Sequence, residues 1–560
     1  MRGLVLVAVA AVILSLGAWG VWRATRPDPL PHVASASGPP LMDGLGHYRH
    51  PVTTRSAQAQ RWFDQGLVLG YAFNQQAAEQ AFLRATELDP SCAMCWWGSA
   101  WVLGPTINSG MDPDDVPYAL ERIARAREAA VEGEVSDVER AFVEALATRY
   151  QRNPPADRHA LDEAYARAMR AMIDRFPEDL DARTLFADAL MNLHPWNYYD
   201  AAGAQQPWTQ EIVTVLEKVL AEEPEHPGAN PLYVYVTEPS THPERAVEHA
   251  QRLERIAPAA GHFLHLAAHV WYRLGRYPEA TAVSLRAIAA DATWAATSNP
   301  EPGLYVDGYM PHHFAALWAS AMMHGASGRA LAAASEVANR VDLDQSRQPG
   351  YEALQHAWAA PFFARVRFGR WDEILAEPAP PGDLPYPEAI WHFARGLALV
   401  RQQQPDDAKR ELDALYAAAA HPSLRDASMW ELNKLSDVLA IAQRLLASEL
   451  AAQRGDTAGA VTLLREAAVL EDGLHYDEPP AWPLPVRQYL GALLLETGKA
   501  AEAQAVYEED LKRYPENGWS LTGLKAALEA QDKGDEAKAV AERRKAAWKD
   551  ADVTIKGSRA

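Results

Sequence analysis

Residues 62–90 read WFDQGLVLGYAFNQQAAEQAFLRATELDP. Trp62, Gly66, Ala78, Phe82 and Pro90 stand at the spacing of a helix–turn–helix unit. Small residues at Gly66 and Ala78 allow two antiparallel helices to approach closely, and Trp62 and Phe82 fill the space between units. Pro90 stops the second helix. The unit recurs. Ile212 with Pro224 and Ala246 with Pro258 are copies 34 residues apart, Ala280 lies 34 further on, and Ala503 and Ala537 are separated by 34 again. The twelve-residue step to proline is also present in Ala78/Pro90, Tyr165/Pro177 and Ala503/Pro515. A fixed period with helix-forming residues between the prolines predicts an all-α solenoid. Such an array is a binding surface before it is a catalyst.

Working outward, weaker units are expected at about 160–191, 193–225, 227–258 and 261–291, and around Gly396/Ala408, Gly455/Ala460 and Gly498/Pro515. Spacing is uneven, because Pro- and Trp-bearing segments at 102–117, 192–210, 292–313, 376–388 and 475–483 interrupt the period. These read as loops that fold over one face of the array. The expected organisation is a repeat array over 56–300, an irregular helical insertion region over 301–388, a second array over 389–545 and a frayed tail over 546–560. With 560 residues and 48% hydrophobic content the chain can bury a large core. A formal net charge of −21 repels phosphate backbones, so no nucleic-acid partner is expected.

Gly3 to Trp22, GLVLVAVAAVILSLGAWGVW, is twenty residues without a charge. At about 1.5 Å per residue it matches a bilayer core. Arg2 precedes it, Arg23 and Arg26 follow, and Trp19 and Trp22 sit at an interfacial position. Residues 1–23 therefore read as an uncleaved signal anchor, a single transmembrane helix in the cytoplasmic membrane with the body on the periplasmic side. Residues 24–55, rich in Pro, Ser, His and Gly, read as a flexible tether.

The sharpest chemical constellation is GHFLHLAAH at 261–269. On a helix, steps of three and four residues place His262, His265 and His269 on one face, within about 60° of arc. A helix presents several nitrogens to one metal ion in this way. Leu266 stands where a metalloprotease motif needs Glu. Three readings stay open: hydrogen bonding or lining of a peptide groove, a zinc or copper ion with a further ligand such as His312 or His313, and acid–base chemistry. No cofactor is firmly implied. Cys92 and Cys95 form a C-x-x-C at a helix start, compatible with a disulfide, buried thiols or ligation. Of 18 tryptophans most should be core, with Trp97 and Trp101 as candidates for a binding groove.

The unit at 62–90 resembles the tetratricopeptide repeat, with Gln65 and Leu69 where that pattern has Leu and Tyr. Over roughly 55–330 the chain further resembles a group of large bacterial tetratricopeptide proteins. The blocks that carry this are DPSCAM at 89–94 with Trp97-Gly98, HPGAN at 226–230, and the three-histidine block. In that group two further histidines flank the 230–235 stretch, where this chain has Pro231 and Tyr235. The role of that group is not implied by the resemblance; the apolar start and the repeats together predict a membrane-anchored repeat scaffold that takes a protein or peptide in its concave groove. A metal-binding protein built on His262, His265 and His269 is the alternative.

Overall fold

Every position marked by the period lies in, or leads into, the second helix of an antiparallel hairpin, and all of them are buried. Ala78 is in Gln75–Leu88, Tyr165 in His159–Arg175, Ile212 in Thr209–Glu222 and Ala280 in Tyr277–Ser298. Ala246 leads into Val247–Ile256, and Ala408, Ala460, Ala503 and Ala537 sit likewise in Pro405–Ala419, Thr457–Asp472, Ala500–Arg513 and Gly534–Ala547. The computed structural model describes residues 41–560 apart from 201, 202 and 431. The expected signal anchor and most of the tether lie outside the described residues. Among the described residues no helix is long and apolar enough to cross a membrane.

The first hairpin shows why the sequence folds this way. Ser56 caps Ala57–Tyr71 by accepting from the Ala59 amide, and Asn74 caps Gln75–Leu88 by accepting from Ala77. The Phe82 ring then packs between two glycines, sixteen residues before and after it. A Cβ on Gly66 would lie 2.9 Å from that ring, and one on Gly98 would overlap it. The arrangement recurs near the other end, where Tyr507 is clamped between Gly491 and Gly523 with the same spacing. Each second-helix aromatic thus locks its own first helix to that of the next hairpin.

The array is an all-α succession of antiparallel helix hairpins. Its first helices include Ala57–Tyr71, Ala93–Trp101, Leu180–Leu193, Ala229–Thr237, Gly261–Arg273, Met310–Met323, Pro385–Arg401, Leu435–Gln453, Val486–Glu496 and Gly518–Glu529. Two apolar cores, one drawn mainly from 45–323 and one from 317–540, meet at the helix Met310–Met323. One short antiparallel ribbon pairs Ser428 with Lys434 and Met429 with Asn433.

Three segments depart from expectation. The region 301–388 contains a regular hairpin, Met310–Met323 with Ser327–Asn339, turned by Gly325 at φ 75°. Its second helix, Ser327–Asn339, carries no Trp or Phe, so the period does not reveal it. The tail beyond Ala547 does not fray. Ser558 is buried and donates to the Gln488 carbonyl at 2.6 Å, Arg559 pairs with Glu449 and Glu496, and Asp552 accepts from the Ser327 and Gly328 amides. The end of the tether, 41–55, is also packed. Met42 donates to Gln65, Thr53 to Glu139, and Thr54 to Asp89. Its polar side chains, which read as linker composition, satisfy buried acids of the array instead.

Candidate metal centre

The helix Gly261–Arg273 presents its three histidines to one side, as the spacing requires, but that side is interior. His262, His265 and His269 are all buried. Gly261 opens the helix because a Cβ there would overlap the Asp291 carboxylate, which reaches in from the neighbouring helix Tyr277–Ser298. Facing these residues is the first turn of Met310–Met323, where Pro311 is tolerated and His312 and His313 follow it. Five imidazoles meet. The His265 ring lies 4.3 Å from His269, 4.7 Å from His312, 4.6 Å from His313 and 5.4 Å from His262.

Their ring nitrogens form two groups, His262/His265/His313 and His265/His269/His312. Within each group, one nitrogen per residue lies within 4.8 Å of the others. Most rings are oriented from outside. The Tyr235 hydroxyl is 2.7 Å from His262 Nε2. Glu238 Oε1 is 3.3 Å from His269 Nδ1. Asp291 Oδ2 is 2.9 Å from His313 Nε2, close but not aligned as a hydrogen bond. The Nδ1 atoms of His262, His265 and His313 have no hydrogen-bond partner, and neither has Glu238 Oε2. Buried polar atoms left in this way cost roughly 1–3 kcal/mol each.

Burial sets the charge state. It holds His262 and His265 well below the ordinary imidazole range, reinforced by the surrounding histidines, and takes His269 and His312 down to about 3. These rings are therefore neutral at pH 7, with lone pairs free to coordinate. Burial pushes Glu238 well above the carboxylate range, opposed by Arg273. An all-imidazole donor set suits zinc or copper and not calcium or magnesium, which need oxygen ligands.

The insertions close the site. Asn108 donates to the hydroxyls of Tyr235 at 3.1 Å and Tyr309 at 2.9 Å, and its Oδ1 accepts from the Trp196 indole at 3.1 Å. Phe73 and Tyr309 pack on the His262 ring. Segments from 102–117, 192–210 and 292–313 so meet over the three-histidine helix, which faces a filled interior and not an open peptide groove. Glu238, Asp291 and Asn108 escaped the sequence reading, and Tyr235 entered it only as the residue standing in place of a histidine. Asp291, a lone acid in the Ala-rich run 287–296, was the one with a visible signal.

The remaining candidates lie elsewhere. Trp97 and Trp101 stack on each other at 5.6 Å inside the first core, and Trp101 borders only a narrow crevice with Tyr71 and Pro105. They serve packing because Ala93–Trp101 is enclosed on nearly every side. Cys92 and Cys95 are joined as a disulfide across the first turn of that helix. A third group, His50 with Asp179 and Asp181, is satisfied within the protein: Asp181 accepts from Tyr48, Tyr71 and His50 at 2.6–2.7 Å.

No protein-family model matches the chain, and no curated protein matches it. Among solved structures it is similar to the human IFIT1 dimer with m7Gppp-AAAA, at 11% identity over 86% of this chain and 96% of that one, with a TM-score of 0.33. It is similar also to the APC/C hetero-tetramer Cut9–Hcn1, at 13% identity over 85% and 78%, with a TM-score of 0.31. Likenesses this loose say nothing about a ligand.

Proposed function

We propose that this chain is a helical-repeat metalloprotein, with a zinc or copper centre enclosed between Gly261–Arg273 and Met310–Met323. The observation that carries the reading is the convergence of four buried imidazoles and the half-buried His312, three of the buried ones with a ring nitrogen that no protein group satisfies. Coordination would satisfy those nitrogens, while Tyr235, Asp291 and Glu238 fix the rings from behind. Neutral imidazoles present no proton competition to the ion at pH 7. Metal analysis of the purified full chain tests this. The expected result is a stoichiometric transition metal that survives gel filtration and is lost in His265→Ala. Absence of binding at micromolar metal would remove the reading.

A protein or peptide partner on the outer surface is the second reading. Trp430, 58% exposed beside the ribbon, favours it as a large apolar side chain offered to solvent. Cross-linked partners should disappear in Trp430→Ala. The net charge speaks against nucleic acid as that partner, and a gel shift with RNA would overturn this. We place the body outside the cytoplasmic membrane on the strength of Gly3–Trp22. The Cys92–Cys95 disulfide supports an oxidising compartment. Recovery in the soluble fraction would contradict the anchor.

A further inference from the structure

Resting on the metal reading, we propose that the centre holds two transition-metal ions and that His265 bridges them as an imidazolate, with one ring nitrogen on each. The five histidines divide into two trios that share a single member, and that member is His265. Helix geometry produces the sharing. His262 is one step of three before it and His269 one step of four after it, so they flank His265 along the axis at rises of about 4.5 Å and 6 Å. On the facing helix the consecutive His312 and His313 point about 100° apart, one into each trio.

The outer partners set His265 apart from the other three buried rings. A terminal histidine ligand normally anchors its second nitrogen on a carboxylate, carbonyl, hydroxyl or water. His262 has Tyr235, His269 has Glu238 and His313 has Asp291. His265, fully buried, has none. Its Nε2 faces His269 Nε2 at 2.8 Å, and its Nδ1 has no partner. Neither of its nitrogens is therefore held by a carboxylate, carbonyl or hydroxyl. An ion in one trio alone would leave the opposite nitrogen of His265 unsatisfied in a dry interior.

Charge also favours the bridge. Two divalent ions bring four positive charges into a buried site. Loss of the His265 ring proton to solvent on binding the second ion removes one. A bridging imidazolate thus lowers the cost of burying two ions side by side.

Copper(II) titration of the metal-free full chain, followed by electron paramagnetic resonance, tests the bridge. The expected result is two ions per chain, with the resonance of the first equivalent largely lost as the second binds, because the imidazolate couples the two spins. His262→Ala should keep one ion, in the His265/His269/His312 trio, with an ordinary uncoupled signal. His312→Ala should keep one in the other trio. One ion per wild-type chain, or two with uncoupled signals, would overturn the bridge while leaving the metal centre standing. No ion at all would overturn both. The wild-type measurement needs no variant to fold, and circular dichroism checks the two that are used.

Discussion

Asp181 shows how single side chains hold the described N-terminal segment in place. Its carboxylate is buried, which alone would raise its pKa, yet His50 and His226 beside it hold it well below the carboxylate range. Burial opposes the charge on His50, and the Asp181 carboxylate overcomes this and raises it to about 9. The sign follows. A raised histidine contributes stability that is fully present below its unfolded value near 6.5 and is lost as pH rises through 9. The lowered Asp181 contributes stability present above about 4 and lost in acid. The attachment of residues 41–56 should therefore be firmest between about pH 4 and 6.5 and weaken progressively between about 6.5 and 9, by up to roughly 3 kcal/mol. Hydrogen exchange across 41–56 checks this: protection should fall between about pH 6.5 and 9 in the wild type, corrected for intrinsic rates, and already be low in His50→Asn. Unchanged protection across that range would refute the ion pair. Neither residue could be paired from the sequence, since 131 positions separate them and only the closed array brings them together.

At the scale of elements the glycine–aromatic–glycine clamp carries the repeat. Gly523→Ala would place a methyl group into the Tyr507 ring, which is fixed on its other side by Gly491. Overpacking of this kind costs about 1–3 kcal/mol. Urea unfolding should show that loss, and a change below 0.5 kcal/mol would mean that the ring moves aside freely. The clamp explains what was legible beforehand. Small and aromatic residues at fixed spacing are a packing constraint within and between neighbouring hairpins, so Gly66, Ala78 and Phe82 declare the fold directly. The same logic placed His262, His265 and His269 on one face. It could not say what that face meets. His312 and His313 were named as companions, but their approach depends on the closure of 299–309, and a period is silent about where an irregular segment lies. Tyr235 and Glu238 were hidden for a related reason: they come from the preceding hairpin, at positions where the repeat specifies nothing.

Across the whole molecule the array curves back on itself, and the C-terminal end closes it. Trp519 donates to the Met322 carbonyl and Trp548 to that of Met323, at 2.9 and 3.0 Å, beside the helix that supplies His312 and His313. Trp548→Ala should destabilise the chain by about 3–5 kcal/mol, as deletion of a large core ring does, and thermal unfolding would register it. A melting temperature equal to that of the wild type would show that the closure is incidental. Closure and insertions together bury the interior, which keeps the His262, His265, His269 and His312 rings neutral, as the proposed metal site requires. X-ray absorption of the zinc-loaded full chain tests that claim most directly. The account predicts a first shell of nitrogens at about 2.0–2.1 Å, with the multiple-scattering pattern of imidazole and no sulfur. A shell dominated by sulfur or by carboxylate and water oxygens would contradict it.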